Sequence, residues 1–364
     1  MIKPLTSLRF FFALMVFSCH LHFIKPSDSK ILWWLWENIL KEGYIGVSFF
    51  FILSGFIISY NYSNILLWNK HNFRNYIIAR FARIYPLHLL TLILSIPLTI
   101  KYLNREEHIN WFLKFLSNLT LTQSYFNKNE YYFSFNSLSW SVSVEMFFYL
   151  VFPLLIVFFF RFIKSNLTRV LFFSFLVLAI PFLIYNLKNI DHHQLFFMFP
   201  FVRLIDFIIG IFLFFAYKII KDKSICRKNT IIEVFSIVIF MVFFLLKDNI
   251  SINYRFSVYY WIPISLIILT FATQDGLISK FLNSGKIVVL GELSFAFYLF
   301  HLLVYEYFCA LNIRIFHFSN PLTIIFINLS ATLTISYLSF KYYEKPLNKY
   351  IKDKLNVFSK LKQN

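Results

Sequence analysis

The run Trp140-Ser141-Val142-Ser143-Val144-Glu145-Met146-Phe147-Phe148-Tyr149-Leu150-Val151-Phe152-Pro153-Leu154-Leu155-Ile156-Val157-Phe158-Phe159-Phe160 holds one charged residue, Glu145. A membrane-crossing helix needs about 20 apolar residues, whereas a barrel strand needs about 10 of alternating polarity. This run is continuous and does not alternate, so it reads as a membrane helix over 138–160. Comparable runs lie at 5–24, 43–61, 85–102, 169–186, 200–217, 230–247, 256–273, 288–311 and 321–340. Ten such spans use roughly 200 residues, which leaves loops but no large soluble domain. The expected fold class is an all-α integral membrane protein with about ten transmembrane helices.

Composition agrees with that class. Of 364 residues, 59% are hydrophobic and only 14% charged, and Phe alone fills 51 positions. A soluble domain is nearer half apolar and a quarter charged, so an ordinary cytosolic enzyme and a disordered chain are both excluded. Cys19, Cys226 and Cys309 are far apart and in or beside apolar runs; neither a disulfide framework nor a Cys-based metal site is expected. No cleavable signal peptide is expected, because no small-residue cleavage site follows the first span.

Ten spans place both ends on one side. With the N-terminus inside, the inner segments hold about twice as many Lys and Arg as the outer ones, which puts both termini in the cytoplasm. The +18 net charge is then a cytoplasmic-face signature, and nucleic acid is not an expected partner. The longest outer segment, 103–137, reads as a partly helical flap on the membrane surface. In the outer loop 25–42, Trp33, Trp34 and Trp36 are either an interfacial belt or a sugar-stacking platform.

Ionisable side chains inside spans cost roughly 2.5–3.5 kcal/mol each on insertion scales, so each is a functional candidate. Arg203 and Asp206, three apart, face each other on a helix and read as an ion pair. Glu233 and Glu292, near span ends, read as snorkelling groups. Arg9 and His20 are 11 residues apart, which puts them on one helical face roughly 16 Å apart. His20 is either a proton acceptor working near neutral pH or a core histidine bonded to a backbone carbonyl. Ser141 and Glu145 share a face at i, i+4. His301, in Tyr298-Leu299-Phe300-His301, falls mid-span. His20, Glu145 and His301 can share a polar pocket, and Glu145 and His301 can equally serve as a helix-to-helix pair. Arg80 and Arg83 also share a face. They are either phosphate-binding forks or plain topology charges.

Taken together, these segments resemble the acyltransferase family 3 membrane proteins, which include O-acetyltransferases of O-antigen, capsule and peptidoglycan. The matching pieces are Leu8-Arg9 with His20; Gly46-Val47-Ser48-Phe49-Phe50-Phe51-Ile52-Leu53-Ser54-Gly55-Phe56; Arg80-Phe81-Ala82-Arg83 with Tyr85-Pro86; Trp140-Ser141 through Glu145, Tyr149 and Pro153; Arg203-Leu204 with Phe207 and Gly210; Gly291-Glu292-Leu293-Ser294 with Tyr298-Leu299 and His301; and Glu344-Lys345-Pro346. Their order and spacing carry the likeness across the chain. One departure is Ser48, where many members have an Asp discussed as the partner of the first-helix His. Glu145, Glu42 or a water is left to orient His20, unless it acts alone. A second is extent. Some members carry a C-terminal SGNH hydrolase-like domain, whereas an acyltransferase domain over 1–345 and a basic cytoplasmic tail over 346–364 are expected here, acting alone or with a separate partner.

The resemblance implies a cytoplasmic acyl-CoA donor, acetyl-CoA by default, and an extracytoplasmic or lipid-linked glycan acceptor. The expected site has His20, Glu145 and His301 as catalytic groups. Arg9, Arg80 and Arg83 hold the CoA phosphates, and the pantetheine arm runs along the first helix. His20 is the general base, or forms an acyl-His intermediate. Ser141, Tyr149 or Tyr298 stabilises the oxyanion. No metal is expected. The expected location is the plasma (inner) membrane, multi-pass, with the bilayer and neighbouring polysaccharide-assembly proteins as partners. The competing readings are a proton-coupled transporter using His20, Glu145 and His301 as a relay, and a non-catalytic scaffold of a polysaccharide-assembly complex.

Overall fold

A computed structural model describes residues 2–63, 70–103, 108–126, 128–162, 165–187, 191–222 and 229–355. Cys226, most of the basic segment around it and positions 356–364 of the expected lysine-rich tail lie outside the described residues. All regular structure among the described residues is helical. In chain order the helices are α1 (Lys3–Cys19), α2 (Lys30–Asn38), α3 (Gly46–Tyr62), α4 (Lys70–Leu103), α5 (His108–Leu119), α6 (Asn129–Tyr132), α7 (Trp140–Phe162) and α8 (Asn166–Asn186). They continue as α9 (Pro200–Asp222), α10 (Thr230–Leu245), α11 (Ile252–Arg255), α12 (Trp261–Thr273), α13 (Leu277–Leu282), α14 (Gly285–Leu311), α15 (Pro321–Ser339) and α16 (Lys345–Lys354).

The count of ten spans is corrected by the structure. Among the described residues, five helical segments are long and apolar enough to cross a membrane: Lys30–Tyr62, His71–Ile100, Ser137–Phe159, Gly285–Phe316 and Pro321–Lys354. The other apolar runs fall on shorter or more charged helices. α1 has 17 residues and α10 has 16, the apolar part of α8 is Leu171–Asn186, the apolar stretch that ends in α12 is Val258–Thr273, and α9 carries Arg203, Asp206, Lys218 and Lys221. The physical reason is length and charge: a crossing helix needs about 20 apolar residues, and these helical stretches end sooner or carry more charged side chains than the sequence runs suggest. The even count that put both termini in the cytoplasm falls with it. The chain is a multi-pass membrane protein.

The chain divides into two compact units. One comprises Met1–Arg9, Val47–Phe73 and Phe147–Glu292. In it α3 and α9 cross at glycines: a Cβ on Gly55 would stand 2.0 Å from the Phe207 carbonyl oxygen, and one on Gly210 2.0 Å from that of Ile52. Only Gly permits that approach. The crossing encloses the expected ion pair, Arg203 to Asp206, at 2.8 Å. Arg203 also donates to the Phe256 carbonyl and to Ser48 Oγ, each at 2.9 Å, and lies 5.0 Å from the Phe51 ring centre. Trp261 Nε1 donates to Asp206. Multiple donors and acceptors are what a buried pair needs to offset desolvation. Glu233, expected to snorkel, is instead buried and accepts from the backbone N–H groups of Gly276, Ile278 and Ser279 at 2.8, 3.0 and 3.3 Å. It caps the start of α13, where a carboxylate meets unpaired N–H groups.

The other unit comprises Phe10–Gly46, Arg74–Met146 and Leu293–Asn364, and it holds the candidate site. The expected surface flap is tied down within it. Gln123 Nε2 donates to the Ser139 carbonyl at 3.0 Å, Ser143 Oγ to the Leu121 carbonyl at 2.6 Å, and Asn118 Nδ2 to Ser134 Oγ at 2.7 Å. His88 Nε2 meets the Asn118 carbonyl at 2.8 Å, joining α4 to the end of α5. In α2, Trp36 is buried, Trp34 is exposed, and Trp33 and Trp36 pack with ring centres 5.5 Å apart.

Candidate active site

α1 stops at Cys19, and the next residue opens a turn in which the His20 N–H bonds the Phe17 carbonyl at 3.1 Å. The helical periodicity that related Arg9 to His20 therefore ends one residue short of the histidine. The turn is held by a close backbone approach. A Cβ on Gly43 would lie 1.9 Å from the Met15 carbonyl oxygen and 3.4 Å from Cys19 Cβ. The segment after α2 thus packs directly on the last turn of α1, which only a residue without Cβ allows.

His20 Nδ1 lies 2.8 Å from the Val16 carbonyl oxygen, so this nitrogen carries the proton and donates. His301 Nε2 stands 3.2 Å from the same Nδ1, with ring centres 5.1 Å apart. His301 Nδ1 faces the Phe297 carbonyl at 3.4 Å. Both histidines therefore take the Nδ1–H form: His20 donates towards Val16 and His301, and His301 accepts through Nε2. That leaves His20 Nε2 as a lone pair. The question of what orients His20 is answered by geometry: the Val16 carbonyl and His301. Cys19 Sγ is 3.1 Å from the Val16 carbonyl and 3.6 Å from His20 Nδ1.

Around the pair lies a narrow recess lined by Phe17, His20, Leu21, Phe23, His301, Leu302, Tyr305 and Asn328. Tyr305 stacks on Phe23 at 5.1 Å and meets His22 edge-on at 6.1 Å. α7 and α14 are joined beside the pair. The Ser141 and Tyr298 hydroxyls are 2.9 Å apart, and Asn136 Nδ2 donates to the Leu299 carbonyl at 2.9 Å. Tyr298 packs edge-on to His301 at 6.0 Å. Glu145, half-buried on α7, lies within electrostatic reach of the Tyr298 hydroxyl. Of the three expected catalytic residues, His20 and His301 are thus in contact, and Glu145 approaches through Tyr298.

The expected cofactor residues separate. Arg9 is half-buried on α1 in the unit with Arg203. Arg80 and Arg83 are in the unit with His20, on α4. Arg83 is ion-paired with the buried carboxylate of Glu344 and lies 5.6 Å from the Phe295 ring centre. Lys352 of α16 is within electrostatic reach of both arginines. The segment bearing Glu344 and Lys352 is fastened to α4 by Tyr343 Oη donating to the Pro86 carbonyl at 3.2 Å and Asn348 Nδ2 to that of Ala82 at 3.1 Å. Arg80, Arg83 and Lys352 thus gather in one region, where guanidinium and ammonium groups are the side chains that bind anions. Among the described residues, no three His, Cys, Asp or Glu side chains converge as a metal site.

Sequence reasoning missed Asn328, Tyr305 and Lys352. Asn328 sits in an apolar helix, where a buried amide is a signal of the same kind as an ionisable group.

Residues 4–341 match the family model described as "Acyltransferase domain", Acyl_transf_3. The acyltransferase MdmB of Streptomyces mycarofaciens is 28% identical over 324 residues, covering 84% of this chain and 79% of the relative. The O-acetyltransferase OatA of Staphylococcus aureus is 25% identical over 338 residues, covering 88% of this chain and 55% of the relative. The chain therefore spans about half the length of the latter. No solved structure matches.

Proposed function

The chain belongs to the Acyl_transf_3 family of acyltransferases, and from that premise we propose that it moves an acyl group, acetyl by default, from acyl-CoA to a hydroxyl of an extracytoplasmic or lipid-linked glycan. The observation that carries the reading is the histidine pair, with His20 Nδ1 held by the Val16 carbonyl and His301. The name of the OatA relative, an O-acetyltransferase, favours acetyl and an oxygen acceptor. We place the acyltransferase domain over 1–345 and the basic tail over 346–364.

His20 Nε2 takes the proton of the acceptor hydroxyl as its oxygen attacks the thioester carbonyl. Positive charge then develops on the imidazole, and its Nδ1–H is already directed at the Val16 carbonyl and the His301 lone pair. His301 does for His20 what a carboxylate does in a hydrolase triad, as a neutral group. When the tetrahedral adduct collapses, the C–S bond breaks, and the CoA sulfur receives the proton from His20 Nε2. An ester and CoA-SH result, and His20 returns to its starting form. In this reading Ser141, Tyr149 or Tyr298 supports the oxyanion; Ser141 and Tyr298 are joined to each other beside the pair. Arg80, Arg83 and Lys352 hold the phosphates of CoA. Glu145 acts through Tyr298.

The test is mass spectrometry of surface glycans from cells with the wild-type gene, with His20→Ala, and with the gene deleted. The expected result is a mass difference of one acyl group, lost in both altered strains. Loss in the deletion alone removes His20 from the chemistry, and no difference in any glycan removes the glycan acceptor.

A further inference from the structure

The helical segment Pro321–Lys354 is longer than a membrane needs. At 1.5 Å per residue its 34 residues reach about 51 Å, against about 30 Å of hydrocarbon. The charges show which part is left over. Positions 321–340 hold no Lys, Arg, Asp or Glu, and they account for about 30 Å on their own. The first charged residue is Lys341, followed by Lys345, Lys349, Lys352 and Lys354, with Glu344 and Asp353 among them. The cations therefore begin where the helix leaves the acyl chains.

This end of the helix has two sides. Glu344, Leu347, Asn348, Ile351 and Lys352 recur at helical spacing and form the less exposed one. It meets α4: Glu344 pairs with Arg83, and Asn348 donates to the Ala82 carbonyl at 3.1 Å. That docking turns the other positions outward. Lys341, Lys345, Lys349 and Lys354 are all exposed, against one exposed carboxylate, Asp353. Tyr342 and Tyr350 are 66% and 57% exposed. Lys341 Nζ lies 5.7 and 5.1 Å from the ring centres of Tyr337 and Tyr342, and Lys354 Nζ 5.5 Å from that of Tyr350. Rings and lysines side by side at this level are the chemistry of a membrane–water interface, where the ring stays at headgroup depth and the ammonium reaches for phosphate.

We propose that Lys341, Lys345 and Lys349, with the tyrosines beside them, bind the headgroups of anionic phospholipids in the leaflet this end of the helix enters. The charge calls for an anion, and its place at the end of the hydrocarbon length calls for one carried by a lipid. The headgroup layer is about 5–8 Å deep on each side. Lys341 and Lys345, about 6 Å apart along the helix, fall within it, and Lys349 reaches back by its flexible stem. A zwitterionic lipid neutralises its phosphate with its own ammonium, so the row favours lipids with net negative charge. The proposal stands apart from the acyl-CoA reading, because Lys352 faces α4 and is not part of the row.

The test titrates purified protein in detergent with phosphatidylglycerol or with phosphatidylcholine, native mass spectrometry giving the affinity for each. Wild-type protein should bind the anionic lipid more tightly. In the triple variant Lys341→Gln/Lys345→Gln/Lys349→Gln that preference should shrink at least about fivefold, the effect of one lysine at a membrane surface. Arg at the same three positions should keep it, which separates charge from folding. Lys25→Gln/Lys30→Gln/Lys128→Gln, which removes three exposed lysines elsewhere, should keep it too. Equal affinity of wild type for both lipids overturns the proposal, as does an equal loss in the two Gln variants. Displacement of the bound lipid by inorganic phosphate at matched ionic strength would make the row a site for a free anion, and overturns it as well.

Discussion

His301 Nε2 lies 3.2 Å from His20 Nδ1, on the same hydrogen that His20 directs at the Val16 carbonyl 2.8 Å away. The two rings are therefore not a pair of equivalent bases. These contacts leave the His20 Nε2 lone pair unused, and His301 spends its own on His20.

That asymmetry sets the order of effects. His20→Ala should lower kcat about 10²–10⁴-fold, the usual contribution of a general base, with the acyl-CoA KM within about threefold. His301→Ala should lower kcat less, because the Val16 carbonyl still orients His20. The double variant should be no slower than His20→Ala alone, since residues acting as one unit are not additive. Steady-state release of CoA thiol from acyl-CoA checks all three. A double variant slower than His20→Ala by the full His301 factor would give His301 a separate role.

The histidines were legible in the sequence because an ionisable group in an apolar run is conspicuous, whether it sits on α14 or, as with His20, just past the end of α1. Their contact was not, because 281 residues separate them and only packing brings them together. The Arg203–Asp206 pair was legible because its partners are one helical turn apart. The span count was not. The window around α2 and α3, Lys30–Tyr62, is apolar yet 72% buried inside the protein, whereas that of Pro321–Lys354 is 17% buried. Both are equally hydrophobic to the eye. Arg83 reads from the sequence as a phosphate fork or a topology charge, and Glu344 as part of a terminal motif; their ion pair depends on the segment with Glu344 packing on α4.

The Arg83–Glu344 pair makes its own prediction. Lys352 lies within electrostatic reach of Arg80 and of the pair. Arg80→Ala or Lys352→Ala should raise the acyl-CoA KM about 10–150-fold, the range of a hydrogen bond to a charged group. kcat should fall less than twofold. Added salt should also weaken binding less in either variant than in wild type, because one fewer charge contact remains to be screened. KM measured at two ionic strengths decides it; an unchanged KM in both variants would leave these residues as topology charges.

Arg203 is fully buried with Asp206, Ser48 and the Phe256 carbonyl as partners. Removing one partner leaves an uncompensated charge, which costs about 3–5 kcal/mol. Asp206→Ala should therefore lower the thermal midpoint in detergent and the amount of protein in the membrane. The apolar double variant Arg203→Met/Asp206→Leu should recover much of that loss, since replacing both charges removes the desolvation cost as well. A double variant less stable than Asp206→Ala would mean that Arg203 is held by its other contacts rather than by the pair.

Gly43 tests whether the position of His20 is set by packing. A methyl group there would stand 1.9 Å from the Met15 carbonyl oxygen, a backbone atom that cannot rotate aside. The end of α1 must move, and overpacking of this kind costs about 1–3 kcal/mol. Gly285, at the start of α14, has nothing within 4 Å of an added Cβ; alanine there should be neutral or stabilising by up to about 1 kcal/mol. Gly43→Ala should lower kcat more than tenfold, because a displacement of about 1 Å at a catalytic group costs on the order of 10² in rate. Gly285→Ala should leave kcat unchanged. If Gly43→Ala destabilises the protein yet leaves kcat per folded molecule intact, the turn after α1 is held by His20's own bonds to Val16 and His301, and not by the segment that packs against it.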